Sequence, residues 1–193
     1  MFDFLKPKPI ESNDARRAEL LWKQGDKMLA RKKYARAAES LREACELQPS
    51  RLEGRLNLGA ALYMTGQFDE AIAHFKYVLA FEPQNTMALL NLAASYDGAG
   101  DMEKSIATLE SLVSSRPQWK DAHYNLAVAY FKQKDYAKAQ DAVRAELALS
   151  PDNELARALL NKIYLMPQKT VEGAPAAGGR QEAGDGRPES TPE

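Results

Sequence analysis

Along most of the chain, apolar and small residues recur at intervals of three and four, which sets one buried stripe along a helix. The stretch FDEAIAHFKYVLAFEPQ, residues 68–84, shows the pattern and its end. A helix-length run closes on a proline, which lacks the backbone N–H needed to continue it. Similar runs with similar stops begin at Tyr34 (YARAAESLREACELQPS) and Tyr136 (YAKAQDAVRAELALSPD). The stopping prolines Pro49, Pro83, Pro117 and Pro151 stand 34 residues apart each time. A constant interval of that size predicts stacked helical repeats.

The other positions keep step with the prolines. Small residues recur as Ala37, Ala71, Ser105 and Ala139, where two helix backbones can approach closely. Large ones recur as Tyr34, Phe68, Met102 and Tyr136, and again as Leu41, Phe75, Leu109 and Val143. Gly66 and Gly100 fall where the first helix of a pair must end, and glycine accepts the left-handed backbone that closes a helix. The first and last units carry Lys32 and Lys134 there, so those turns are expected to be less favourable. Asp69, Glu70, Asp101 and Glu103 put negative charge at the start of second helices, where the helix dipole favours it.

With these positions in place, Gly25, Ala37, Leu41, Ala44 and Pro49, with their three echoes, resemble the tetratricopeptide repeat, a helix–turn–helix unit of this length. The resemblance implies an all-α, right-handed α-solenoid of four units at about residues 18–51, 52–85, 86–119 and 120–153. Residues 154–166, ELARALLNKIYLM, resemble the capping helix of that family. The expected organisation is a flexible segment 1–14, a repeat domain 15–166 and a disordered tail 167–193. The tail, rich in Gly, Pro and Glu, cannot bury enough surface to offset ordering entropy. Two departures from the family pattern stand out. Leu21, Arg55, Leu89 and His123 replace its early tryptophan, and Glu146 stands where a small residue recurs, which is expected to loosen packing locally.

Composition narrows the function. A formal net charge of −1 argues against a nucleic-acid reader. The single cysteine, Cys45, excludes an internal disulfide framework and sits in an apolar stripe, where a buried inert thiol is the default. No apolar run is long enough for a membrane-spanning helix, and MFDFLKPKPI, interrupted by Asp3, Pro7 and Pro9, does not read as a secretory signal, so a cytoplasmic location is expected. The chain has no HExxH, CxxC, phosphate-loop or GxSxG motif. His74 and His123 fall in different units. The expectation is a non-enzymatic protein with no metal, cofactor or small-molecule substrate.

Recognition is better supported. In a stack of helix pairs the leading helices line a concave surface. A helical wheel places Trp22, Asp26, Leu29, Leu56, Asn57, Tyr63, Met64, Leu90, Asn91, Asp97, Tyr124, Asn125, Val128 and Phe131 toward it, with Leu56, Leu90 and Tyr124 favoured as packing between units. Asn57, Asn91 and Asn125 each follow a proline by eight residues, and an asparagine amide offers both donors and an acceptor. The resemblance implies that such a row holds the backbone of a peptide from a partner protein, with Trp22, Tyr63, Met64, Tyr124 and Phe131 as apolar anchors. Family members that clamp chaperone carboxylates use a lysine and an asparagine on the first unit. This chain has Trp22 and Asp26 there, and the acid disfavours that mode. A second expectation concerns MFDFLKPKP: residues 2–10, with the nearby basic run ARKKYAR at 30–36, suit weak membrane contact or self-association.

Overall fold

The computed structural model describes residues 12–166, and the two terminal stretches, including MFDFLKPKP and the Gly/Pro-rich tail, lie outside the described residues. The described residues form nine α-helices and no strand. They are α1 (Ser12–Ala30), α2 (Tyr34–Leu47), α3 (Leu52–Met64), α4 (Phe68–Phe81), α5 (Thr86–Gly98), α6 (Met102–Ser115), α7 (Ala122–Lys132), α8 (Tyr136–Leu149) and α9 (Glu154–Tyr164). Each helix packs on its neighbours in sequence, and α3 also touches α5, so the pairs α1–α2, α3–α4, α5–α6 and α7–α8 stack into a solenoid that α9 follows. The first helix reaches back to Ser12, earlier than the start near residue 18 expected for the first unit.

The turn within each pair is built alike. Past α3, the Gly66 N–H donates to the Tyr63 carbonyl at 3.0 Å and the Gln67 N–H to the Leu62 carbonyl at 2.9 Å. This is the Schellman closure, which needs a left-handed residue at its hinge. The hinge is Gly66 (φ +79°), Gly100 (φ +84°), Lys32 (φ 56°) or Lys134 (φ 65°) in the four units. Two units thus hold a lysine in a conformation that a Cβ disfavours.

Two of the four turns between pairs, those before α5 and α9, are capped by side chains, and Arg51 before α3 makes no such cap. Asn85 Oδ1 accepts from the Ala88 N–H at 2.9 Å and Asn153 Oδ1 from the Ala156 N–H at 3.1 Å. The fourth unit has Trp119 at the matching position. There α7 starts late, and Asp121 adopts φ 66° with no side-chain cap. Glu146 of α8, fully buried, reaches across, and its Oε1 accepts from the Asp121 N–H (3.3 Å) and from Asn153 Nδ2 (3.0 Å). Glu146 Oε2, in contrast, is buried without a hydrogen-bond partner among the described residues, so the acid meets its polar needs only in part. Its carboxylate joins the irregular start of α7 to the cap of α9, while Ala44, Val78 and Leu112 fill the same register by apolar contact.

The core runs the length of the stack. Ala37, Ala71, Ser105 and Ala139 are all essentially inaccessible, as the repeat pattern requires. Trp22 is 1 % exposed and lies over Gly54 of the next unit, where an added Cβ would come within 2.1 Å of its ring. Its indole N–H donates to Gln48 Oε1 at 3.3 Å, and the Arg51 guanidinium sits 5.2 Å from the ring centre. Burial pushes the Cys45 thiol up to about 11, which keeps it a protonated, unreactive packing group. No helix among the described residues is long and apolar enough to cross a membrane.

Candidate functional site

The leading helices α1, α3, α5 and α7 carry the residues singled out for recognition, and a cleft of about 330 Å³ opens between α5 and α7. Asn91 and Asn125, one full repeat apart, both line it. Apolar walls come from Tyr63, Leu90 and Val128, while Ala93, Ala94 and Ala129 leave the width between the helices. Ser105 and Leu109 of α6 complete the lining. Across its mouth, Lys132 of α7 donates to the Asp97 carboxylate of α5. Both ends of that pair remain about a third to a half exposed, so solvent screens it and it can open at small cost.

The remaining recognition residues lie elsewhere. Asn57 is not part of this cleft, and its Nδ2 donates to Asp26 Oδ1 of α1 at 2.9 Å. Met64 is half exposed at the end of α3, outside the cleft lining. Tyr124 and Phe131 pack partly against the core of the second half, and Phe131 also meets Tyr136 (ring centres 5.5 Å apart) and the Lys162 ammonium (5.0 Å). Trp22 must be removed from the anchors: a side chain buried between three helices has no surface left for a ligand. Leu56, Leu90 and Tyr124, which share its register one, two and three repeats later, also pack against the core, as expected for them.

Sequence reasoning missed Lys132. It stands seven residues after Asn125, on the same side of α7 two turns on, so helical spacing could have placed it beside the row. Among the described residues no group of three or more His, Cys, Asp or Glu is placed to hold a metal ion. The two histidines are far apart in role: His123 Nε2 lies 2.9 Å from the Pro117 carbonyl, while His74 Nδ1 is buried without a hydrogen-bond partner.

Tetratricopeptide-repeat sequence profiles match residues 15–86, 65–124 and 98–163. The chain belongs to the tetratricopeptide-repeat family. No curated protein sequence matches it. Several solved tetratricopeptide-repeat structures share its fold. MamA (residues 41 to the end) from Desulfovibrio magneticus RS-1 is 22% identical, with a TM-score of 0.64 over 77% of this chain and 93% of that one. A thermophilic repeat protein of Thermus thermophilus is 20% identical at TM-score 0.62, covering 77% and 81%. YrrB, a repeat protein with an unusual peptide-binding site, is 18% identical at TM-score 0.69, covering 76% and 75%. Tetratricopeptide-repeat stacks are protein–protein interaction scaffolds, whose curvature supplies extended concave surfaces.

Proposed function

We propose that this tetratricopeptide-repeat protein is an adaptor that holds an extended segment of a partner protein along its concave surface. The observation that carries the reading is the pairing of Asn91 and Asn125 in one cleft with apolar walls. Two amides a repeat apart can each donate to and accept from a peptide backbone whatever its side chains. Tyr63, Leu90 and Val128 offer apolar contact to one side chain of that segment. YrrB, a neighbour in fold with a peptide-binding site of its own, supports the same use of such a stack. Asn57 takes part once its bond to Asp26 is exchanged for one to the ligand. Met64 and the exposed edges of Tyr124 and Phe131 extend the surface on either side.

The test selects peptides from a random display library on the full chain and titrates the best of them calorimetrically. Replacing Asn91 or Asn125 by alanine removes one or two ligand hydrogen bonds, so affinity is expected to fall about tenfold. The melting temperature should not move, because neither side-chain amide holds the helices together. Equal binding by wild type and an Asn91→Ala, Asn125→Ala double variant would end the proposal.

A further inference from the structure

The outer face of α1 carries a charge pattern that the groove does not use. Arg16, Leu20, Lys23, Lys27 and Arg31 follow one another at spacings of four, three, four and four. They are all exposed and lie within about 80° of arc, opposite the buried Ala18, Trp22 and Gly25. The stripe runs for about 22 Å and continues into the turn that holds Lys32 and Lys33. Residues 12–36 contain eight basic and three acidic side chains, in a chain whose formal net charge is −1. Two of the three acids are engaged: Glu19 faces Arg51 and Lys23, and Asp26 accepts from Asn57.

The repeat register identifies this face. The positions of Leu20 and Lys27 are filled by Gly54 and Ala61 in the second unit and by Ala122 and Ala129 in the fourth, all buried. It is the face that a unit covers by stacking on the one before it, and no other described helix covers it on α1. A terminal face of a solenoid must be polar to stay soluble. Solubility alone asks for mixed charge and does not call for a stripe of a single sign. Nor does it explain Leu20, which stands 62 % exposed in the middle of the stripe.

We propose that the outer face of α1 docks the protein on a bilayer rich in anionic phospholipid. Its cations match a negatively charged plane, and Leu20 can enter the interface between headgroups, which a nucleic-acid backbone would not reward. The near-neutral whole chain also lacks the long-range attraction of a nucleic-acid binder. The apolar side of α1 is buried in the stack, so attachment is electrostatic, reversible and weakened by salt. This inference is independent of the peptide groove.

The experiment measures sedimentation of the full-length chain with vesicles of phosphatidylcholine alone or with about one-third phosphatidylserine, at low and near-physiological salt. Binding should require phosphatidylserine and decline with salt. Each cation removed should weaken it about fivefold, so Lys27→Gln with Arg31→Gln should cost about 30-fold. The helical spectrum should stay unchanged, with only the small fall in melting temperature that follows from losing two cations at the C-terminal end of α1. Binding that ignores phosphatidylserine overturns the proposal. So does binding unmoved by the double variant, which would assign it to another part of the chain such as residues 2–10. Tighter binding to an anionic duplex oligonucleotide than to the phosphatidylserine vesicles at the same salt would overturn it in favour of nucleic acid.

Discussion

The four Schellman turns offer a matched set of backbone experiments, since the same hinge is glycine in two units and lysine in two. At Gly66 an added Cβ would find nothing within 4 Å, so Gly66→Ala probes the left-handed backbone and nothing else. Holding an L-residue there costs ~1–2 kcal/mol. Glycine gives back part of that advantage, ~0.5–1 kcal/mol, through its larger unfolded-state freedom. The net expectation is ~0.5–1 kcal/mol lost in Gly66→Ala, or about 1–4 °C in melting temperature for a chain of this size. At Lys134 (φ 65°) the sign reverses: Lys134→Gly should raise the melting temperature by the same amount. Because Lys134 also carries a charge near a helix C-terminus, Lys134→Ala is the proper reference, keeping the Cβ and removing the ammonium. Thermal melts followed by far-ultraviolet circular dichroism provide the readout. If Lys134→Gly melts at or below Lys134→Ala, or Gly66→Ala melts with wild type, the conformational account of these turns is wrong.

Two further outcomes follow from buried groups. Trp22→Ala should destabilise the stack by ~3–5 kcal/mol, because it empties the space over Gly54 between three helices; a variant that melts like wild type while losing peptide affinity would restore Trp22 to the groove. His74 is held below the usual imidazole range by burial, then by Arg55 and Arg42, against the opposing pull of Glu70. A depressed value means the unfolded chain takes up the proton first, so the stability owed to neutral His74 is complete above the unfolded pKa of about 6.5 and is lost as pH falls below it. His74→Leu should therefore flatten the drop in melting temperature between neutral and mildly acidic buffer, and an identical drop in both proteins would exclude this residue as its source.

The repeat period made the architecture legible because each of its terms has one local cause. Proline stops a helix, glycine closes a turn, and a small residue lets two backbones meet, so Pro83, Gly66 and Ala71 could be read without any knowledge of their neighbours. The site was less legible because a leading helix buries more than one side. It packs on its own partner and on the adjacent unit, and a helical wheel cannot say which remaining face stays open. Trp22 shows the difficulty. Its own helix leaves it free, and only Gly54, 32 residues later in the sequence, makes the space that swallows it. A signal was nonetheless present, since Trp22 shares a register with Leu56, Leu90 and Tyr124.

The fourth unit carries the same lesson in polar form. Asparagine caps α5 and α9 at matching positions 85 and 153, and the intervening position 119 is tryptophan. A helix start without its cap leaves a backbone donor wanting an acceptor. In the same unit, a carboxylate, Glu146, appears in a register otherwise apolar. Taken separately, each departure reads as a defect in the repeat. The structure joins them, because the Asp121 N–H exposed by the first is met by the oxygen supplied by the second. The second unit also lacks the asparagine, with Arg51 at that register and no side-chain cap, but it keeps an apolar residue, Val78, where the fourth has Glu146. Two departures that coincide in one unit and touch are therefore best read as partners, and the contact between them is the place to look first.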